Sequence, residues 1–245
     1  MTVHVEVCVD SIESAASATR GGADAVELCS DLNNGGVTSS LGTIHATCEA
    51  TAGHQLGVLI RPRAGDFVFS PAEHTAMRRD IQAARDTGCD GVALGVLTPE
   101  GDIDTERMRA LIEEARPLQV TFHRAFDRTR DWEQAFGELL ELGVDRVLTS
   151  GQQRDAEAGA AMLTELVRRA GSRLVVVPAG AIRLSNARNI IETTGARALH
   201  VGSAVSQTIV TPSTTVALGP GGTDDENGRQ EVQVERVREL VQQLQ

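Results

Sequence analysis

Four times in this chain a helix-like stretch stops at a glycine and re-enters a strand-like run within a few residues. These joints are Gly21-Gly22-Ala23-Asp24, Thr87-Gly88-Cys89-Asp90, Leu142-Gly143-Val144-Asp145 and Thr194-Gly195-Ala196-Arg197. Glycine after the last helical turn takes the left-handed cap conformation, and a tight turn from there launches the next strand. Short β-branched runs, each bounded by such signals, predict strands over 3–9, 24–29, 56–61, 91–96, 118–123, 146–150, 173–177 and 198–202. Amphipathic stretches lie between them. Ser11 and Ser40 are placed to open two of these helices. Ser70-Pro71-Ala72-Glu73 combines an N-cap, a proline at the first helical position and a capping-box glutamate. Asp131 can cap the helix after the fifth strand. Eight β-then-α units in 245 residues predict one α/β domain, a (β/α)8 TIM-type barrel, a fold typically about 250 residues long. A doubly wound open sheet would carry a glycine-rich fingerprint after its first strand, and this chain has none there.

One segment breaks the rhythm. Residues 206–229 show no clear period, and 218–228 are turn-formers and acids, which predicts a flexible Gly/Asp-rich surface loop. The closing helix is expected over 230–244.

Charge and composition exclude several partners. A formal net charge of −11 and the lack of any basic block argue against nucleic acid and against an anionic membrane surface. No apolar run reaches the length of a membrane span. The N-terminal residues enter a strand pattern at once, with no basic export region, so a cytoplasmic protein is expected. Cys8, Cys29, Cys48 and Cys89 contain no C-x-x-C spacing, which excludes a zinc ribbon and suits reduced thiols. The chain has no lysine and no tyrosine, and all 23 basic residues are arginine. Schiff-base chemistry is thereby excluded, while bidentate recognition of carboxylate or phosphate is not. The expected partner is a metal ion or a small anion, and a homo-oligomer is compatible with the sequence.

Strand alternation assigns faces. In the first strand His4, Glu6 and Cys8 share one side; in the second, Ala25, Glu27 and Cys29 do. The intervening valines and leucine belong against the helices, so the polar sets should point into the barrel. The same logic turns Arg61, Thr121, His123, Thr149 and His200 inward. Barrel enzymes build their sites at the C-terminal ends of strands. Glu6, Glu27, Arg61, His123 and His200 are therefore expected to converge in one pocket, with Arg61 or a metal compensating the carboxylates. An ion-pair network that merely fills the barrel is the alternative.

Glu6-Val7-Cys8-Val9-Asp10 and Glu27-Leu28-Cys29-Ser30-Asp31 repeat one pattern on neighbouring strands. Cys8 and Cys29 could stand side by side and clamp a soft ion such as Cu(I), or could simply fill space. Cys48 and Cys89 lie outside the strand ends. Pro178-Ala179-Gly180-Ala181-Ile182 and His200-Val201-Gly202-Ser203-Ala204 end the seventh and eighth strands in small residues. Gly180, Gly202 and Ser203 could let backbone N–H groups reach an anion, as in the phosphate sites many barrels carry there. Arg61-Pro62-Arg63 adds two guanidiniums at another strand end, suited to an acidic ligand or to the glutamates.

Glu27-Leu28-Cys29 after Gly21-Gly22-Ala23-Asp24, Ile60-Arg61-Pro62-Arg63, Gly65-Asp66-Phe67, Thr121-Phe122-His123-Arg124-Ala125-Phe126-Asp127 and Val147-Leu148-Thr149-Ser150-Gly151 resemble the CutC family. That resemblance runs from residue 5 to about 204. It implies a cytoplasmic barrel associated with copper homeostasis, with Cys8 and Cys29 at positions where the family carries its proposed copper-binding cysteines. The chain departs from the family pattern at Ala179-Gly180-Ala181-Ile182, where a Gly-Gly-Gly-Ile is usual, and at Val205, where an arginine is usual. Both changes weaken an inherited anion site. Two functions from different classes follow. One is a copper-binding homeostasis protein. The other is a metal- or anion-dependent lyase or isomerase acting on a small phosphorylated or carboxylated sugar-like substrate, with Glu6, Glu27 and His123 as acid, base or ligand and Arg61 as orienter.

Overall fold

The computed structural model describes residues 2–210 and 228–245. Eight parallel strands form the central sheet: β1 His4–Val9, β2 Ala25–Leu28, β3 Gln55–Leu59, β4 Gly91–Leu94, β5 Gln119–Phe122, β6 Arg146–Thr149, β7 Val175–Pro178 and β8 Ala198–Val201. Their ladder runs β7-β6-β5-β4-β3-β2-β1-β8. β7 and β8 pack beside each other without a hydrogen-bonded ladder between them, which leaves the barrel nearly closed. Helices α1 Ile12–Gly21, α2 Leu41–Ala50, α3 Pro71–Thr87, α4 Thr105–Ala115, α5 Trp132–Leu142, α6 Ala160–Ala170, α7 Ala187–Thr194 and α8 Val234–Leu244 complete eight β/α units. None of the described helices is long and apolar enough to cross a membrane.

Local chemistry explains the repeat. Gly22, Gly88, Gly143 and Gly195 all take positive φ at helix ends, where a side chain would be strained. In three of the four joints the aspartate that follows locks the next strand to its neighbour. The carboxylates of Asp24, Asp90 and Asp145 accept from the backbone N–H groups of Val5, Leu56 and Val120 at 2.7–2.8 Å. Their own N–H groups donate back to the same three residues. Arg197 has no carboxylate, and at that joint His4 N–H donates to its carbonyl instead. Ser70 and Glu73 form the full capping box, and Asp131 accepts from the N–H groups of Glu133 and Gln134.

Two cores result. Val5, Val7, Val26, Leu28, Val58, Val92, Val120, Phe122, Val147 and Leu199 face the helices in one continuous apolar layer. Inside the barrel the apolar filling is thinner: Leu148, Val177, Ala179 and Ala198 on one side, and Cys8, Cys29, Leu59 and Ala93 on the other. The rest of the interior is polar.

Two expectations change here. The segment 206–229 is not loop at its ends: β9 Ser206–Val210 and β10 Gly228–Val232 pair antiparallel. Val232 N–H donates to Ser14 Oγ, which anchors this ribbon on α1. The alternation Ser206, Thr208, Val210 and Gly228, Gln230, Val232 is too polar to advertise strands. The Gly/Asp-rich stretch between them lies outside the described residues. Thr149 does not point into the barrel. It shares a face with Val147, and its Oγ1 donates to Asp127 Oδ1 at 2.5 Å. Arg146 and Leu148 take the inward phase, since Arg146 meets Glu6 and Leu148 packs with Val177 and Ala198.

Candidate functional site

The C-terminal mouth of the barrel encloses a cavity of about 400 Å³. Cys8, Glu27, Cys29, Arg61, His123, Arg124, Gly180, His200, Gly202 and Ser203 all line it. Four of the five pocket residues expected from alternation thus share one space. Glu6 does not line it and sits beneath, joined to the cavity through His200. Arg61 lines it but leaves the glutamates alone. Its Nη1 donates to the carbonyls of Asn34 and Gly36, and its Nη2 to that of Gly65. Its role is to hold two loops together at the mouth, with Phe67 lying 5.0 Å from the guanidinium carbon.

The cation that compensates the buried carboxylates is Arg146, which sequence reasoning passed over. Glu6 Oε2 accepts from Arg146 Nη1 at 2.5 Å, and Glu6 Oε1 accepts from His200 Nδ1 at 2.8 Å. Burial alone would raise the Glu6 pKa; Arg146 and then His200 outweigh it and hold the carboxyl at about 2. Burial would lower the His200 pKa, but the charges of Glu27 and Glu6 override it and raise the imidazole above its ordinary value. Glu27 goes the other way. Burial and the neighbouring Glu6 push its carboxyl up, and His200 offsets them only in part.

With Nδ1 committed to Glu6, His200 turns Nε2 toward Glu27 Oε1, 4.0 Å away. Cys8 Sγ lies 3.9 Å from the same oxygen and 3.8 Å from Cys29 Sγ. Donor atoms of Cys8, Glu27 and His200 all fall within 4.8 Å of one another. Cys29 donates its S–H to Val9 O at 3.5 Å. Its hydrogen bond with Cys29, then burial, then nearby negative charge push the Cys8 thiol well above its ordinary pKa, so it is protonated when no cation is present. Cys48 and Cys89 do not line the cavity, and burial first, then the neighbouring Cys48 and Asp90, push the Cys89 thiol up to about 12.

The opposite side of the mouth is built from the loop after β5. His123 Nδ1 accepts from Ala125 N–H at 3.2 Å, so the neutral ring carries its proton on Nε2. Burial, and then the Arg61 charge, depress its pKa to about 3, so the ring is neutral. Gly95 makes room for it, because a Cβ there would meet the ring at 2.7 Å. The Nε2–H is buried and has no partner among the described residues. Asp127 accepts from Thr149, from the N–H groups of Ser150 and Gln152, and from Arg124 Nε. Arg124 is thereby fixed over Gly180. Gly180 has φ 95°, and Ala181 follows at 51°.

Fold and site together define a (β/α)8 barrel with two thiols, a carboxylate and an imidazole gathered at its mouth. The chain belongs to the CutC family, whose profile matches residues 3–205. A CutC family protein of Parabacteroides distasonis is 44% identical over 199 residues, covering 81% of this chain and 82% of the relative. One from Xanthomonas campestris pv. campestris is 43% identical over 243 residues, covering 98% of both chains. A crystal structure from Streptococcus agalactiae, assigned to a copper homeostasis protein CutC, superposes with a TM-score of 0.78 at 29% identity. It covers 82% of this chain and 98% of that one.

Proposed function

We propose that this protein binds one soft metal ion, Cu(I), at the mouth of its barrel, through the sulfurs of Cys8 and Cys29 with the imidazole of His200. The observation that carries this reading is the Cys8 Sγ to Cys29 Sγ separation of 3.8 Å beside an imidazole whose other nitrogen is tied to a carboxylate. Thiolates select soft cations. A carboxylate bonded to the far nitrogen of a ligand histidine orients the ring and raises its basicity. Glu27, with its raised pKa, stands by as a hydrogen-bond acceptor for Cys8 or as a further oxygen ligand. The paired sulfurs therefore suit the copper homeostasis name of the S. agalactiae relative, and Cys29, which lies outside the close group of Cys8, Glu27 and His200, would have to turn toward the imidazole as the ion binds. Reduced thiols at this position fit a reducing compartment such as the cytoplasm. Because the Cys8 thiol holds its proton tightly, binding must release protons, and affinity should rise with pH.

Competition titration against a Cu(I) chelator under reducing conditions tests the reading. Cys8→Ser and Cys29→Ser should each weaken binding by orders of magnitude, while Cys48→Ser and Cys89→Ser leave it alone. Unchanged affinity in the Cys8→Ser/Cys29→Ser double variant would contradict it. A site that prefers Zn²⁺ and survives Cys29→Ser would replace it with the Cys8, Glu27 and His200 set.

One observation favours a second reading, an enzyme acting on a small anionic molecule. A cavity of about 400 Å³ is far larger than one ion needs. Among its lining groups Glu27 is a carboxylate with a raised pKa, and the unpaired His123 Nε2–H is a neutral donor. In this reading the two face a substrate, and copper is not the purpose of the site.

A further inference from the structure

The cavity has a second pole that metal binding leaves unexplained. The loop after β7 and the loop after β8 meet there. Among the described residues, the backbone N–H groups of Gly180, Ala181, Gly202 and Ser203 find no acceptor. Arg124 spends Nε on Asp127 at 2.8 Å and Nη2 on Ser150 Oγ at 2.9 Å. Its Nη1, which has no partner among the described residues, lies 3.5 Å from where a Cβ of Gly180 would be. Glycine at that position lets the guanidinium sit directly on the loop. The Asp127 carboxylate already accepts from Arg124 Nε, Thr149 Oγ1 and the N–H groups of Ser150 and Gln152, so it fixes Arg124 without competing as a free anion beside it.

His123 adds an independent sign of a ligand. It is 4% exposed and lines the same cavity. Its Nε2–H is an unpaired buried donor, a group that costs stability unless an acceptor arrives. Nδ1 is committed to Ala125 N–H and the adjoining carbon faces Gly95, so Nε2 is the only polar corner of the ring left. Since the ring stays neutral at any ordinary pH, it is suited to donate to a hydroxyl or carbonyl oxygen rather than to pair with a charge.

We propose that the mouth binds a small phosphate monoester. The phosphate sits on the N–H groups of Gly180, Ala181, Gly202 and Ser203 with Arg124, and the organic end reaches His123 Nε2–H. A tetrahedral oxyanion suits this lining because it can accept from N–H groups on two loops and from a guanidinium at once. A planar carboxylate would use fewer of them. The cavity is larger than a phosphate ion, which leaves room for a chain of a few carbons. This inference does not rest on the copper reading. A cation held by Cys8 would stand near Gly202, whose Cβ position is 3.9 Å from Cys8 Cβ, and would favour the anion.

Isothermal titration of the metal-free protein with sn-glycerol 3-phosphate, inorganic phosphate, glycerate and glycerol tests it. Glycerol 3-phosphate should bind more tightly than inorganic phosphate, and glycerol should not bind. Ser203 is exposed, so Ser203→Asp should fold normally while placing a carboxylate in the cradle. Ser203→Asp and Arg124→Gln should each weaken both phosphates about tenfold or more. His123→Asn should weaken glycerol 3-phosphate and leave inorganic phosphate unchanged. The Cys8→Ser/Cys29→Ser variant should keep phosphate binding, so failure of the copper reading and failure of this one separate cleanly. Absence of binding at millimolar ligand, tighter binding of glycerate than of glycerol 3-phosphate, or affinities untouched by Ser203→Asp and Arg124→Gln would each overturn the proposal.

Discussion

The two sides of the barrel mouth are built on opposite chemistry. On the β1, β2 and β8 side the groups facing the cavity are electron-pair donors: two sulfurs, a carboxylate oxygen and an imidazole nitrogen. Beneath them the charges are closed off by Arg146 and Glu6. On the β5 and β7 side the free groups are hydrogen-bond donors, namely His123 Nε2–H and Arg124 Nη1, and the β8 loop adds N–H groups. The first side is tied together by ion pairs, although Arg146 Nη2 beneath it is buried without a partner among the described residues. The second turns a buried imidazole N–H and an exposed guanidinium toward the cavity, and a buried donor without an acceptor is costly. Lone pairs on one wall and N–H groups on the other are what the proposed cation and the proposed anion would each require. The contrast can be broken or sharpened by substitution.

The largest effect should come from the foundation of the first side. Arg146→Met leaves Glu6 a buried charge with His200 as its remaining partner and should cost about 3–5 kcal/mol in a denaturant melt. Arg124→Gln removes an ion pair whose arginine is 43% exposed, and should cost no more than about 1 kcal/mol. Equal costs would mean that the second side is as structural as the first.

Acid should separate the sides next. His123 has its folded pKa depressed from 6.5 to about 3. Between those values the unfolded chain binds a proton that the folded one refuses, so stability falls as pH drops below 6.5. Glu6, depressed from 4.5 to about 2, adds a second loss over that lower window. In His123→Asn the upper limb should vanish and the lower one remain, with the pH 7 midpoint nearly unchanged. His200 works in the opposite sense, since its raised pKa gives stability that is complete below 6.5 and is lost as pH climbs through the folded value. Glu27, with its raised pKa, works against His123 in this window, so the comparison is with the variant: a His123→Asn profile identical to wild type from pH 6.5 to 4.5 would refute the assignment of His123 as a neutral buried donor.

Smaller still is the support that Glu6 gives to His200. Glu6→Gln should lower Cu(I) affinity about 10–100-fold. It should leave phosphate affinity within error, because Glu6 does not line the cavity. Equal loss of both ligands would merge the two poles into one site. The smallest change is at Ala181, whose φ of 51° suits glycine. Ala181→Gly relieves strain but loosens the unfolded chain, so a melt should shift by no more than about 1 kcal/mol in either direction.

The repeat and its joints were readable because glycine caps and aspartate turns are local chemistry, and the strand positions followed from them. The inward phase of Glu6, Cys8, Glu27, Cys29 and His200 was readable where polar and apolar residues alternate. It failed at Arg146-Val147-Leu148-Thr149, where both central residues are apolar and neither face is marked. The phase was set instead by Glu6, 140 residues away, and that is why Thr149 was turned inward and Arg146 overlooked. Charge alone suits Arg61 to the glutamates or to an acidic ligand. Three main-chain carbonyls from two loops took its guanidinium instead, and no sequence pattern marks a carbonyl as free. Asp127 was visible as part of a charged cluster, but its role as an acceptor for the β6 loop depends on how that loop returns.

The central claim, that Cys8 and Cys29 are paired for one soft cation, is tested most directly by X-ray absorption at the copper edge on protein loaded with one equivalent of Cu(I). The account predicts two sulfur neighbours and one imidazole nitrogen, falling to one sulfur in Cys29→Ser. Copper surrounded by nitrogen and oxygen alone, or a spectrum unchanged by Cys29→Ser, would contradict it.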